Sequence, residues 1–369
     1  MRIAIDARLK YYRLGGIAEY TRHLVLALSE LDTETRYIVV HHVRDRETLA
    51  PAANFRRAST LTPSHHRYER WLLSAELLPL RLDVYHTPEG ILPQRAAPRQ
   101  ICTVHDVHYL HFPQYMTPES RRYYNEQIVR SLRQAEHILV PSQATKTDLI
   151  TLLDVPPEKI TVHPLGVDDQ FRPADLETIA AVRARYDLPQ EYLLFVGTFE
   201  PRKNLPGLFE AYALMRDDAP EPPPLVLVGR RGWLTETIDA AVERLKLRPS
   251  LIWIEHAPRH DLPALYSGAV LLALPSHYEG FGLTALEAMA CGTPPVVANR
   301  SSLPEVVGDA GLLVDPDDPA DLAQAMRTLL TDSDLRATLR ARGLARAAEF
   351  TWRRTASIVL EVYRRGAAL

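Results

Sequence analysis

The stretch that most limits what this chain can become runs from Ser276 to Gly292. Ahead of it, Ala269 to Leu274 is an unbroken apolar run closed by Pro275. Such a run, without polar alternation, reads as a strand buried on both faces, as in a parallel sheet. Behind it, Thr284 to Cys291 is rich in Ala, Leu, Glu and Met and stops at Gly292, which reads as a helix with a glycine stop signal. Between strand and helix lies the turn Glu279-Gly280-Phe281-Gly282. A junction of this kind presents free backbone N–H groups and the positive end of a helix dipole, which suits a phosphate. Glu279 precedes the turn and Glu287 lies about one turn into the helix. Ionised carboxylates accept hydrogen bonds from hydroxyl groups, so the stretch points to a ligand carrying both phosphate and hydroxyls.

The same strand-then-helix rhythm recurs along the chain. Residues 2 to 6, Tyr37 to Val43, Asp83 to His86, Ile101 to Val104 and His137 to Val140 read as strands, and Tyr123 to Gln134 as a helix. A second series starts at Tyr192 to Gly197 and continues with Leu225 to Gly229, Leu251 to Ile254 and Pro295 to Ala298. At 369 residues the chain exceeds one typical core, so two α/β domains are expected. The first is drawn over 1–180 and the second over 190–348, with the polar stretch up to about Gln190 as linker. Residues 349–369 form a helical tail.

Composition removes several classes. The chain is 46% hydrophobic and 24% charged, the balance of a soluble globular protein. A net charge of -3 gives no reason to expect nucleic-acid binding. No apolar run approaches the ~20 residues that cross a bilayer, and from the early charges in Met1-Arg2-Ile3-Ala4-Ile5-Asp6 no signal peptide is expected. The expectation is a cytoplasmic protein whose membrane contact, if any, is peripheral at the inner surface. Cys102 and Cys291 sit in apolar contexts and are expected to pack as small buried residues.

Three further places carry chemistry. Gly15-Gly16 opens a helix running to about Glu30 and lets a ligand approach the backbone closely. Arg202-Lys203, ahead of a helix that starts near Pro206, supplies a guanidinium fork and a point charge suited to a diphosphate. His105 lies just past the end of a strand, where open α/β sheets bind ligands. The spacing of His105, His108 and His111 also suggests a metal site, but Pro113 and the lack of a matching carboxylate pattern argue against one. The basic, aromatic segment His65 to Leu73 reads either as a helix packed on its own domain or as a surface for an acceptor or a lipid headgroup layer.

The setting Glu279-Gly280-Phe281-Gly282-Leu283-x3-Glu287-Ala288-Met289-Ala290-x-Gly292, together with Glu200-Pro201-Arg202-Lys203-Asn204, resembles the signatures of retaining family-4 glycosyltransferases of the GT-B fold. Gly15-Gly16, His105, Pro164-x-Gly166-Val167-Asp168 and Asp261-Leu262-x2-Leu265-Tyr266 extend the resemblance over essentially the whole chain. It implies two doubly wound Rossmann-like domains facing across a cleft, the second binding a nucleotide-diphosphate sugar. It further implies that Arg202, Lys203 and the amides around Gly280, Phe281, Gly282 and Leu283 bind the diphosphate. Glu287 would bind the ribose, Glu279 and His105 the sugar, and Gly15 and Gly16 would meet the phosphates. No metal or other cofactor is expected, since two basic side chains can replace a divalent ion. The style resembles bacterial mannosyltransferases of polysaccharide assembly, so GDP-mannose is the first expectation for the donor and a saccharide or lipid-linked saccharide for the acceptor. Glu255 and Ala257 replace the family's usual glycine and valine beside the base, which leaves the base open. A non-catalytic nucleotide-sugar-binding subunit and a nucleotide-sugar epimerase on the same plan remain the rivals.

Overall fold

The computed structural model describes residues 1–12, 15–116, 127–217 and 221–365. The chain divides into two compact units: Met1–Gly166 together with the segment from Thr351, and Val167–Phe350. Each is built on one parallel sheet.

The first sheet contains β1 (Arg2–Asp6), β2 (Arg36–His42), β3 (Phe55–Thr60), β4 (Val84–Thr87), β5 (Arg99–Thr103), β6 (His137–Val140) and β7 (Ile160–Val162). Their order is β3-β2-β1-β4-β5-β6-β7. The second contains β8 (Leu193–Val196), β9 (Leu225–Val228), β10 (Leu251–Ile254), β11 (Leu271–Leu274), β12 (Pro295–Ala298) and β13 (Leu312–Val314), in the order β10-β9-β8-β11-β12-β13. The central strands are buried along their length, as helices on both faces of a parallel sheet require. In each sheet the order reverses once. That point lies between β1 and β4 in the first, where Ala4 pairs with Tyr85, and between β8 and β11 in the second, where Leu194 pairs with Leu272.

Several expectations change in detail. Strand β3 was not anticipated: it is an edge strand with Arg56 and Arg57 in its middle, so it shows no apolar run. The first domain was drawn to residue 180, but the first unit stops at Gly166. Within the expected linker, Leu176–Tyr186 is a helix capped by Asp175, whose carboxylate accepts from the Thr178 amide at 2.7 Å. Ile179 and Val182 bury its inner face, and Arg185 and Tyr186 both donate to Asp261. Those contacts assign it to the second unit. The tail helix Trp352–Arg364 packs along Gly16–Leu31 within the first unit. Its buried stripe is Thr355, Ala356, Val359, Leu360, Val362 and Tyr363. The helix expected over Tyr123 to Gln134 lies partly outside the described residues; 127–134 are helical.

Candidate active site

The loops after β8 and β11 emerge side by side because those strands are neighbours at the switch point, the place where open α/β sheets bind ligands. This brings together residues about 76 positions apart in sequence. The Glu279 carboxylate accepts from Arg202 Nη1 at 2.8 Å, Lys203 Nζ at 2.5 Å and Ser276 Oγ at 2.7 Å. Arg202 Nη2 also meets Glu200 Oε1 at 2.6 Å. Glu200, Lys203 and Glu279 are all buried. Two cations and two carboxylates thus form a neutral ionic knot. Burial alone would push the Glu279 carboxyl up, but Lys203 and Arg202, with their hydrogen bonds, outweigh it and hold the group at about 2. Glu279 is therefore ionised at neutral pH.

The local sequence explains how the knot is held. Asn204 follows in the left-handed region at φ 56°, where asparagine is tolerated. Its Oδ1 caps the next helix at the Gly207 amide, 3.2 Å away, and its Nδ2 donates to Pro316 O at 2.7 Å. That fixes the turn carrying Arg202 and Lys203. On the other side, the Glu279 amide donates to Ser301 Oγ at 2.9 Å, and Ser302 Oγ donates to Glu279 O at 2.8 Å. Glu200, Ser276, Ser301 and Ser302 were not singled out from sequence as site residues. Only Glu200, inside the Glu-Pro-Arg-Lys-Asn run, gave a signal there; isolated serines give none.

Gly282 lies at φ 103°, and a Cβ on it would stand 2.8 Å from Leu303 Cδ2. It precedes the helix Leu283–Ala290, whose first amides have no acceptor within the helix. Gly280 and Phe281 are buried beside that helix start, so the glycine turn is a packed element. Glu287 is half-buried on the same helix and accepts from Tyr266 Oη at 2.9 Å. Asp261, within the Asp261-Leu262-x2-Leu265-Tyr266 run, is buried and accepts from Arg185 and Tyr186.

In the first unit, His105 sits two residues past β5 and donates from Nε2 to Pro88 O at 2.9 Å. Its ring meets Tyr20 edge-on at 4.8 Å between centroids. Burial lowers its pKa, against the opposing pull of the Pro88 hydrogen bond. The ring is thus neutral, with Nδ1 as acceptor. Behind it runs a buried chain: Tyr363 Oη to His86 Nδ1 (2.6 Å), His86 Nε2 to Thr103 Oγ1 (2.8 Å), Thr103 to Tyr20 Oη (3.2 Å), and Tyr20 to His163 Nε2 (2.9 Å). His163 Nδ1 ends it on Val140 O at 2.8 Å. Because a carbonyl can only accept, one direction of donation satisfies every group. Burial drives the pKa of both His86 and His163 down to about 3, keeping the chain neutral.

Gly15 is extended and exposed, and Gly16 begins the helix Gly16–Leu31. A Cβ on either would meet nothing within 4 Å, so packing does not require glycine at these positions. His108 and His111 are drawn to different carboxylates, Asp106 at 2.6 Å and Asp148 at 2.9 Å. Among the described residues, no group of three His, Cys, Asp or Glu side chains is arranged to hold a metal ion, and no helix is long and apolar enough to cross a membrane. The segment from His65 packs on its own unit and also leaves an exposed aromatic face. Its helix, Glu69–Leu77, buries Glu69, Leu73 and Leu77, while Tyr68, Trp71, Leu72 and Leu78 are exposed next to Arg67 and Arg70.

Two doubly wound parallel α/β units of this kind are the architecture of the GT-B fold. Residues 14–171 match the family described as Glycosyltransferase Family 4, and residues 181–346 that described as Glycosyl transferases group 1. The chain is 37% identical over 282 residues to O-antigen chain mannosyltransferase B of Escherichia coli, covering 76% of this chain and 74% of that protein. It is 32% identical over 273 residues to the serotype-specific mannosyltransferase WbdA of Escherichia coli, covering 72% of this chain but only 33% of that longer protein. Among solved structures, sucrose-phosphate synthase from Thermosynechococcus elongatus superposes over 100% of this chain and 99% of its own, with a TM-score of 0.80 and 24% identity, a likeness of fold. The chain belongs to the family-4, group 1 glycosyltransferases and is a glycosyltransferase enzyme.

Proposed function

We propose that the protein is a retaining, metal-independent mannosyltransferase that takes GDP-mannose as donor and a saccharide or lipid-linked saccharide as acceptor. The observation that carries this reading is the buried knot of Arg202, Lys203 and Glu279 at the second sheet's switch point. The mannosyl choice leans on the 37% identical relative. A diphosphate entering beside the knot exchanges places with carboxylates for the two cations and meets the amides at the start of Leu283–Ala290. As the bond from the anomeric carbon to the phosphate oxygen breaks, the electron pair leaves with the nucleoside diphosphate. Arg202, Lys203 and the helix amides stabilise that developing charge. The acceptor hydroxyl attacks the same face, and its proton passes to the departing phosphate oxygen. Glu279, ionised and displaced from its cations, accepts hydrogen bonds from sugar hydroxyls, Glu287 accepts from the ribose, and His105 Nδ1 accepts from a hydroxyl of the sugar. Gly15 and Gly16 leave room for the phosphates.

We place this activity in the cytoplasm, with Tyr68, Trp71 and Leu72 touching the inner membrane surface; flotation of W71A with anionic vesicles tests that contact. For the reaction itself, GDP-mannose and UDP-sugars are compared by thermal shift and by nucleotide release with and without EDTA, and the product anomer is read by NMR. A preference for a UDP-sugar, loss of activity in EDTA or an inverted anomer would each overturn the corresponding part of the proposal.

A further inference from the structure

The first sheet has its own switch point, between β1 and β4, and the chain following those strands lines a small recess. Asp6, Ile17, Thr21, Ser64, Thr87 and Glu89 form its walls. The space open to a water-sized group in it is about 10 Å³, room for roughly one such group. A single sugar hydroxyl has that size.

The charges around the recess favour a neutral guest. Arg8 is 1% exposed and each of its three guanidinium nitrogens donates within the protein. It donates to Asp6 Oδ1 and Oδ2 at 3.0 and 2.7 Å, to Glu69 Oε1 at 2.6 Å and to Thr62 O at 2.9 Å. The walls therefore offer carboxylates and hydroxyls, which attract a polyol and repel a phosphate. The same buried knot sets the geometry. Glu69 Oε2 accepts from the His65 amide at 2.7 Å, holding His65 in the left-handed region at φ 65°. There its ring Nε2 pairs with Glu89 Oε1. The second carboxylate oxygen of Glu89 has no protein partner among the described residues. Pro88, next in line, supplies the carbonyl that holds His105, so one short loop positions both His105 and Glu89.

We propose that this recess is a socket for one hydroxyl of a neutral acceptor saccharide, with Glu89 accepting its hydrogen bond and His65 fixing Glu89 in place. The proposal rests on the saccharide-transfer reading above. Glu89→Gln keeps the shape and removes the charge; His65→Gln loosens the carboxylate. The full chain and both variants are compared in three measurements: transfer from GDP-mannose to methyl α-D-mannopyranoside, GDP release without acceptor, and saturation-transfer NMR of the mannoside alone. The expected result is that E89Q lowers transfer about 10-fold more than acceptor-free GDP release, through a raised acceptor KM. H65Q shifts in the same direction by less. One of the four monodeoxy mannosides should be insensitive to E89Q, because it lacks the hydroxyl the socket reads. An unchanged acceptor KM in E89Q overturns the proposal, as does a parallel fall in acceptor-free release, which would assign the hydroxyl to the donor sugar. Failure of wild type to turn over GDP-mannose, with mannoside binding still dependent on Glu89, would sink the donor reading and leave the socket standing.

Discussion

Each sheet reverses its strand order once, and the chain puts contrasting chemistry at the two places. At β8 and β11 the loops carry Arg202, Lys203, Glu200 and Glu279, charges that compensate one another in a buried cluster. At β1 and β4 the cation Arg8 is paired internally, leaving carboxylates and hydroxyls facing the recess. Beyond it, His105 is backed by a chain of neutral groups. Topology supplies the same crevice twice; the side chains decide that one crevice suits an anion and the other a neutral polyol. The contrast is also energetic. Buried Glu200, Lys203 and Glu279, with half-buried Arg202, offset their desolvation only while all four are present, whereas a satisfied neutral chain depends on no balance of charge.

The sharpest way to break this comparison is to remove the shared carboxylate of the ionic site. Glu279→Gln keeps the volume but leaves Lys203 and Arg202 undercompensated, and transfer should fall by about 10²–10³-fold in kcat/KM. Circular dichroism should show the fold retained. Near-wild-type turnover would remove Glu279 from the site.

Next in size is the response to acid, where the two units should part. In the first unit, His41, His86, His105, His137 and His163 are all lowered by burial, His86 and His163 to about 3. A histidine whose folded pKa lies below the ordinary 6.5 contributes stability above that value. The contribution is lost as pH falls toward 3, because the unfolded chain takes up protons first. Glu279, held at about 2 against an ordinary 4.5, contributes above 4.5 and loses it only as pH falls toward 2. The second unit has His277 lowered by burial, but no second such histidine among its described residues. Hydrogen exchange followed by mass spectrometry between pH 7 and pH 4 should therefore show protection fading first in β4, β5 and β7. Simultaneous loss in both units would refute the contrast.

A smaller effect is expected at the chain's own glycines. Gly282→Ala must adopt φ near 103° and crowd Leu303, at a cost of about 1–3 kcal/mol, measurable by denaturant melting together with weaker nucleotide binding. Gly16→Ala has open space and a helical position, so stability should change by less than ~1 kcal/mol. Donor turnover should fall nonetheless, if a ligand is the reason for the glycine. If G16A matches wild type in both stability and kcat/KM, the paired glycines have no part in binding.

Much of the architecture was legible locally. Buried parallel strands leave apolar runs such as Leu225 to Val228, and Gly282 announces a turn because only glycine tolerates that backbone; both signals lie within a few residues. The edge strand Phe55–Thr60 and the helix inside the expected linker were not legible, since Arg56 and Arg57 interrupt any apolar run in the strand and Leu176–Tyr186 is fixed by a distant partner, Asp261. The candidate residues Arg202, Lys203, Glu279 and His105 could be named from sequence, because motif spacing records chemistry. Their partners could not. That Glu279 is shared by both cations, that Asp261 is occupied by Arg185 and Tyr186, and that Glu89 borders a hydroxyl-sized recess all depend on which strands are neighbours. Strand order is set by long-range pairing and burial, and no local window of sequence contains it.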